Sequence, residues 1–332
     1  MATHVSPEQL ALAANALAAG KLVAFPTETV YGLGADARNG EAVRRIFAAK
    51  GRPASNPLIV HLASPDEIPR YADLSRSFDR PLVEERLKRV SVFWPGPVSV
   101  VLPAAAIIAK EVCAGGDTVA LRIPRHPIAL ALLAAFGGPV AAPSANISNY
   151  ISPTTAEHVR AGLGDAVEAI LDGGPCEVGL ESTVLSLLEK TPRILRPGTV
   201  TREQLASALG CEVEGPTPGQ HSAPAEGTLL SPGLMAKHYS PRTPVVLKPF
   251  LDPKAQLPTR IGAILFRPQP LPFNTVRTTV LSQTGELDAV AAKLFTALRE
   301  HDALGLDLIV VDTCEPIGLG EAIMDRLVRA AR

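Results

Sequence analysis

Apolar positions along this chain follow two rhythms: short, nearly continuous runs, and longer stretches in which they recur every third or fourth residue. Buried strands produce the first and amphipathic helices the second. Ser6-Pro7-Glu8-Gln9 is a capping box with Pro at the first helical position, and the Ala/Leu-rich helix behind it should stop at Gly20. Residues 22–25 read as a short strand ended by Pro26. Over 41–50, Val43, Ile46 and Phe47 share a face and Gly51 is the stop, so Lys50 lies in a last turn and Arg52 just beyond it. Residues 58–62 form another strand, Ser64-Pro65-Asp66-Glu67 should open a capped helix, and a charged helix covers 81–90.

Trp94-Pro95-Gly96-Pro97 is a rigid turn feeding a strand over 98–102. A strand over 118–123 brings Arg122, and then Arg125, to its end. A helix over 126–136 and a strand over 140–142 follow, the latter running directly into Pro143-Ser144-Ala145-Asn146. Beyond a helix starting near Thr155, strands are expected over 167–171 and 183–188, residues 193–198 carry Arg196, and Thr201 opens a helix with another capping box. Between Cys211 and Pro244 periodicity fades and Pro, Gly and Ser interleave, the composition of a linker and, at this length, of a functional lid. Strands over 245–247, 261–266, 278–281 and 308–312, with helices over 287–300 and 320–331, make a small second α/β unit. The expected division is 1–210, 211–243 and 244–332.

Composition narrows the class. With 332 residues, 46% hydrophobic and 20% charged, the chain can build a packed core, which aliphatic residues must fill because aromatics are only 4%. A formal net charge of −1 argues against a broad nucleic-acid clamp. No apolar run reaches transmembrane length, and no charged segment followed by an apolar one opens the chain. The four cysteines, Cys113, Cys176, Cys211 and Cys314, lie far apart without a C-x-x-C, which points away from zinc and toward a reducing cytoplasm.

The stretch from Phe25 to His61 is densest in candidate chemistry. Gly32-Leu33-Gly34-Ala35-Asp36-Ala37 imitates G-x-G-x-x-A, but Pro26 and polar residues part it from its strand. No acidic residue follows about 20 positions on, so a dinucleotide site is not supported and the glycines read as a turn allowing close backbone passage. Without a G-x-x-x-x-G-K-[ST], a nucleotide would need discrete cations. Lys50, Arg52, Arg122 and Arg196 each stand at or past the end of an apolar element, where open α/β sheets gather ligands. Taken singly, each is also an ordinary surface charge. Ser144, Asn146 and Ser182 are turn or cap formers on the same reading, and His61 a structural imidazole. No G-x-S-x-G or H-E-x-x-H occurs. The residues alone indicate an α/β enzyme with an anionic ligand.

These residues carry a resemblance to the YrdC-like family, in its long two-domain threonylcarbamoyl-AMP synthase form. The matching stretches are FPTETVYGLGADA, KGRP with Asn56-Pro57-Leu58-Ile59-Val60-His61, FWPGPVSVVL, TVALRIPRHP, APSANISNYISPT, GLESTVL and ILRPG. SPGLMAKHYSP and GLGEAIMDRLVRAA resemble that form's linker and C-terminal domain. The resemblance implies a twisted mixed open sheet with helices, followed by a small Rossmann-like α/β domain. It implies that L-threonine, bicarbonate and ATP are joined into threonylcarbamoyl-AMP with release of pyrophosphate. It also implies Mg²⁺ with the ATP, with no flavin, NAD or zinc, and hand-over of product to the tRNA threonylcarbamoyl transfer machinery, with at most weak tRNA contact and no membrane.

Position by position, the family's Lys-x-Arg and Ser-x-Asn signature falls on Lys50, Arg52, Ser144 and Asn146. Its threonine-binding positions fall on Thr29, His61, Arg122, Ala142 and Ser182. Its nucleotide positions fall on Arg52, Asn56, Thr118, Ser144, Ser152, Arg196 and Tyr239. Arg122 would then pair with the threonine carboxylate as a planar fork, and Lys50, Arg52 and Arg196 would clamp phosphates. Two other readings stand beside this one. One is a carbamoyl adenylyltransferase of the hydrogenase-maturation type, whose longer chains carry C-x-x-C modules. The other is a non-catalytic module binding tRNA or double-stranded RNA.

Overall fold

The structure, a computed structural model, describes residues 5–216, 238–251 and 257–332. Two sheets organise it. The larger has nine strands in the order β7-β1-β2-β6-β3-β5-β4-β8-β9. In chain order these are β1 (Val23–Phe25), β2 (Gly32–Asp36), β3 (Ile59–His61), β4 (Val98–Pro103) and β5 (Thr118–Arg122). There follow β6 (Val140–Ala141), β7 (Ala169–Ile170), β8 (Thr183–Ser186) and β9 (Arg193–Arg196). Parallel pairs (β1/β7, β3/β5, β4/β8) alternate with antiparallel ones, so the sheet is mixed. The second sheet, β10 (Val245–Leu247), β11 (Ile261–Leu265), β12 (Arg277–Val280) and β13 (Leu308–Val311), is wholly parallel in the order β10-β13-β11-β12.

The helices are α1 (Pro7–Ala18), α2 (Gly40–Lys50), α3 (Ile68–Tyr71), α4 (Arg80–Val90), α5 (Pro127–Phe136), α6 (Ala156–Leu163), α7 (Arg202–Leu209), α8 (Leu287–Asp302) and α9 (Leu319–Ala330). Local sequence fixes most of their ends. Ser6 and Thr201 form reciprocal capping boxes with Gln9 and Gln204. Gly51, the C-cap of α2, takes φ 60°, a left-handed value that suits glycine. That geometry turns the chain sharply and places Arg52 after Lys50.

Two expectations change. Residues 32–36 are not a turn but β2, paired with both β1 and β6 inside the sheet. Its glycines are there for close approach: a Cβ on Gly34 would lie 2.8 Å from Val140 Cγ1 and 2.9 Å from the Phe25 ring. The capped helix expected after Ser64 is only a 3₁₀ turn (Pro65–Glu67) and the single turn of α3. Most of the expected linker, residues 217–237, lies outside the described residues. No described helix is long and apolar enough to cross a membrane.

The core does not stop at the sheet boundary. Val30, Ile151, Leu180 and Tyr239 pack in one buried cluster with Val290, Leu294, Phe295 and Leu298 of α8 and with Ile323 and Leu327 of α9. The second domain therefore shares apolar surface with the loops that border the site described next.

Candidate active site

β3 and β5 run side by side, in a register that sets His61 opposite Arg122 at their ends. Val140, also opposite His61, starts β6, which leads through Ala142 and Pro143 to Ser144. Ser144 in turn bridges to Gly32 at the start of β2. On the other flank β4 places Val98 beside Thr183, so Ser182 stands at the entrance of β8, with Arg196 paired to Val184. These strands and loops enclose a cavity lined by Thr27, Val30, Gly32, Arg52, Ile59, His61, Arg122, Ala142, Pro143, Ser144, Glu181, Arg196, His238 and Tyr239. A separate groove beside α3 and α4 carries charges at its rim, such as the exposed Arg80–Glu84 pair, and lacks a comparable convergence of buried polar groups.

Of the residues singled out by sequence, Arg52, His61, Arg122, Ala142, Ser144, Arg196 and Tyr239 line this cavity. Thr29 and Ser182 sit directly behind it, bonded to Arg122 and Arg196. Asn56 lies under Arg52, which donates to its carbonyl (3.1 Å) and to that of Pro57 (2.9 Å). Both polar atoms of the buried Asn56 side chain lack a partner. Ser152 is buried and donates to Glu181. Thr118 stands apart, at the opposite end of β5 from Arg122.

Lys50 is 1% exposed rather than solvated, and its ammonium donates to the carbonyls of Ser144 and Asn146. A last-turn lysine worth only tenths of a kcal/mol to its helix does not describe this residue, because it ties α2 to the Ser144–Asn146 loop. Burial, then the neighbouring Arg52 charge, pushes the Lys50 pKa well below its ordinary value.

The planar fork expected of Arg122 is only partly available. Its Nε donates to the Gly96 carbonyl (3.3 Å) and its Nη2 to Thr29 Oγ1 (2.9 Å). Nη2 also stands 2.8 Å from the buried Glu28 carboxylate. Nη1 is left, without a partner among the described residues. Arg52 shows the same division: Nε and Nη2 hold backbone, and Nη1 remains. Burial lowers the Arg52 pKa to about 9, with Tyr239 opposing and Arg196 adding to the effect. Arg196 donates to the Ser182 carbonyl (2.9 Å) and hydroxyl (3.2 Å).

Two imidazoles complete the lining. Burial, then the Arg122 charge, pulls the His61 pKa down to about 3, and burial with Arg52 and Lys50 pulls that of His238 well below its ordinary value. Both rings are therefore neutral at pH 7, and each has a buried Nδ1 without a partner among the described residues. The buried Tyr239 hydroxyl likewise has none. Buried polar atoms are nearly always satisfied in folded proteins, so this concentration of orphans marks a ligand site.

Sequence reasoning passed over Glu28, Glu181, His238 and Arg326. Glu181 accepts from Ser152 on one side and from Arg326 of α9 on the other (3.0 Å). Arg326, 1% exposed, also pairs with Asp325 and lies 5.2 Å from the Tyr239 ring, which stacks on Phe295 at 5.5 Å. Arg299 of α8 donates to the carbonyls of Ile151 and Ser152. Two helices of the second domain thus hold both Tyr239 and the Ser152 loop.

Magnesium fits poorly as a protein-held ion. Among the described residues no group of three His, Cys, Asp or Glu side chains could hold a metal, and Glu181, the carboxylate lining the cavity, is already engaged. An ion arriving on ATP phosphates with its own waters would not need such a cage.

Comparison with known proteins gives the cavity a context. A family model described as telomere recombination matches residues 15–198, and one described as the threonylcarbamoyl-AMP synthase C-terminal domain matches 200–332. A threonylcarbamoyl-AMP synthase of Bacillus subtilis is 39% identical, with 97% of this chain and 93% of that protein covered. One from Pyrococcus abyssi is 38% identical, with 97% and 94% covered. A crystal structure of the P. abyssi Sua5 protein complexed with L-threonine superposes with a TM-score of 0.85 at 36% identity, covering 99% of this chain and 95% of that one.

Proposed function

The chain belongs to the threonylcarbamoyl-AMP synthase family, and from that premise we propose that it joins L-threonine, bicarbonate and ATP into threonylcarbamoyl-AMP and pyrophosphate. The observation that carries the reading is the convergence of Arg52, Arg122 and Arg196 with neutral His61 and His238 on one buried cavity. Such a cavity suits a polyanion beside a small zwitterion. Thr29, His61, Arg122, Ala142 and Ser182 receive threonine in this proposal, with its carboxylate at Arg122 Nη1. Arg52, Asn56, Thr118, Ser144, Ser152, Arg196 and Tyr239 receive the nucleotide, which must then extend along β5 to reach Thr118. Lys50 and Asn146 act with Arg52 and Ser144 at the reacting centre.

The threonine amine loses a proton and condenses with bicarbonate to a carbamate, releasing water. A carbamate oxygen then attacks the α-phosphorus while the bond to the pyrophosphate oxygen breaks. Negative charge grows on phosphate oxygens in that step, and guanidinium donors held in place at the cavity, such as Arg52, stabilise it. Water competes for the carbamate, so burial of Tyr239 and His238 over the cavity serves the chemistry as well as the fold.

Residues 1–210 are proposed as the catalytic unit, 211–243 as the connecting lid and 244–332 as the unit that supports it. The product would pass, in the cytoplasm, to an enzyme transferring the threonylcarbamoyl group to tRNA, with weak direct tRNA contact at most. Pyrophosphate release from ATP should require both threonine and bicarbonate. Release that ignores threonine would overturn the assignment and favour a carbamoyl adenylyltransferase.

A further inference from the structure

Three consecutive polar residues, Thr27, Glu28 and Thr29, are all buried, to within 2% exposure. Thr27 accounts for its own burial by closing a turn: its hydroxyl donates to Val30 O (2.7 Å) and accepts from the amides of Thr29 and Val30 (both 3.2 Å). The turn sends Glu28 behind the cavity. There Glu28 Oε2 accepts from the Arg125 backbone amide (3.0 Å), while Oε1 stands 2.8 Å from Arg122 Nη2. The Oε1 contact lacks hydrogen-bond alignment, so charge rather than direction holds it. A buried carboxylate on this scale is costly unless it is paired, and among the described residues Arg122 is its ionic partner.

We infer that Glu28 is a positioning residue for amino-acid recognition: it fixes the rotation of the Arg122 guanidinium so that Nη1 alone meets the substrate carboxylate. This rests on the proposed function, which places threonine at Arg122. Gly96 O, Thr29 Oγ1 and Glu28 Oε1 occupy the whole Nε–Nη2 edge of the guanidinium. Two of these three are neutral acceptors. The carboxylate supplies the one charge on that edge, and Glu28 is not itself among the residues lining the cavity. It also offsets the Arg122 charge. The two ends of the cavity thereby differ in character, one reading a single carboxylate and the other a polyanion.

Glu28→Gln retains volume and one acceptor but removes the charge. Steady-state pyrophosphate release should show the KM for L-threonine rising about tenfold to hundredfold, as a misplaced recognition group does. The KM for ATP and kcat at saturating threonine should stay within about twofold, a split that general loss of structure would not give. Glu28→Asp keeps the charge at a shorter reach and should recover part of the threonine KM. An unchanged threonine KM in Glu28→Gln, or threonine and ATP KM values rising together, would overturn the inference. Failure of both variants to fold would overturn it too, in favour of a purely structural ion pair. Threonine-independent release by the wild-type protein would instead sink the functional assignment beneath it.

Discussion

Replacing Lys50 by Met tests what this buried ammonium does. Met conserves most of the volume and the unbranched stem, so the change is chiefly electrostatic. The structure indicates two opposing terms. Asn146 O loses a charge-assisted donor, and Ser144 O loses one of two donors, since it also accepts from the Asn146 amide (3.0 Å). A buried group left unsatisfied costs about 1–3 kcal/mol. Against this, the variant no longer buries a charge that burial and Arg52 already disfavour. A net loss of about 2 kcal/mol follows, or about 3 °C in melting temperature at about 2.1 cal/mol/K of unfolding entropy per residue. Activity should fall further than stability, about a hundredfold, because the same two carbonyls position the loop bearing Ser144 and Asn146. Differential scanning fluorimetry and pyrophosphate release on one preparation measure both. An unchanged melting temperature with full activity would refute the anchoring role. A lowered melting temperature with full activity would leave Lys50 as a structural strut only.

Arg326→Met leaves Glu181 without its buried cationic partner, while Asp325 keeps Arg329, and should cost about 3–5 kcal/mol, so urea denaturation should show a lower midpoint and turnover should drop with it. Gly34→Ala drives a methyl against Val140 and Phe25, both within 3 Å, and should cost about 1–3 kcal/mol in thermal unfolding with little effect on threonine KM. Acid should destabilise the protein before its carboxylates titrate. His61, held near 3 when folded, has an unfolded value of about 6.5, so its contribution is fully present above about pH 6.5. It is lost as pH falls, by about 1.4 kcal/mol per unit, and stability measured between pH 7 and 5 should decline and recover on return. Flat stability over that range would contradict a buried neutral His61.

Much of the fold was legible because local signals fix it. Capping boxes at Ser6 and Thr201, the glycine after Lys50 and the apolar runs at 59–61 and 98–103 each act within a few residues of themselves. β2 was not legible, since Gly32-Leu33-Gly34-Ala35-Asp36 has little strand propensity and is extended by its neighbours β1 and β6. The helix after Ser64 was overextended because its cap is real and its continuation is not. In the site, residues at the ends of apolar elements could be listed, but their partners could not. Arg122 meets Thr29 across 93 positions and Arg326 meets Glu181 across 145, and no local pattern encodes such pairs. Charged residues such as Glu28, Glu181 and Arg326 look like surface until a partner is seen. The polar island Thr27-Glu28-Thr29 between two apolar runs is the local sign of that burial in the sequence.

The central claim is that one cavity assembles three substrates into one adenylate. Incubating the protein with ATP, L-threonine and ¹³C-bicarbonate, then analysing the products by mass spectrometry, tests it most directly. The account predicts one product containing AMP, the threonine skeleton and a single ¹³C. Pyrophosphate release that yields only adenylates lacking threonine, or a threonine adenylate without the label, would contradict it.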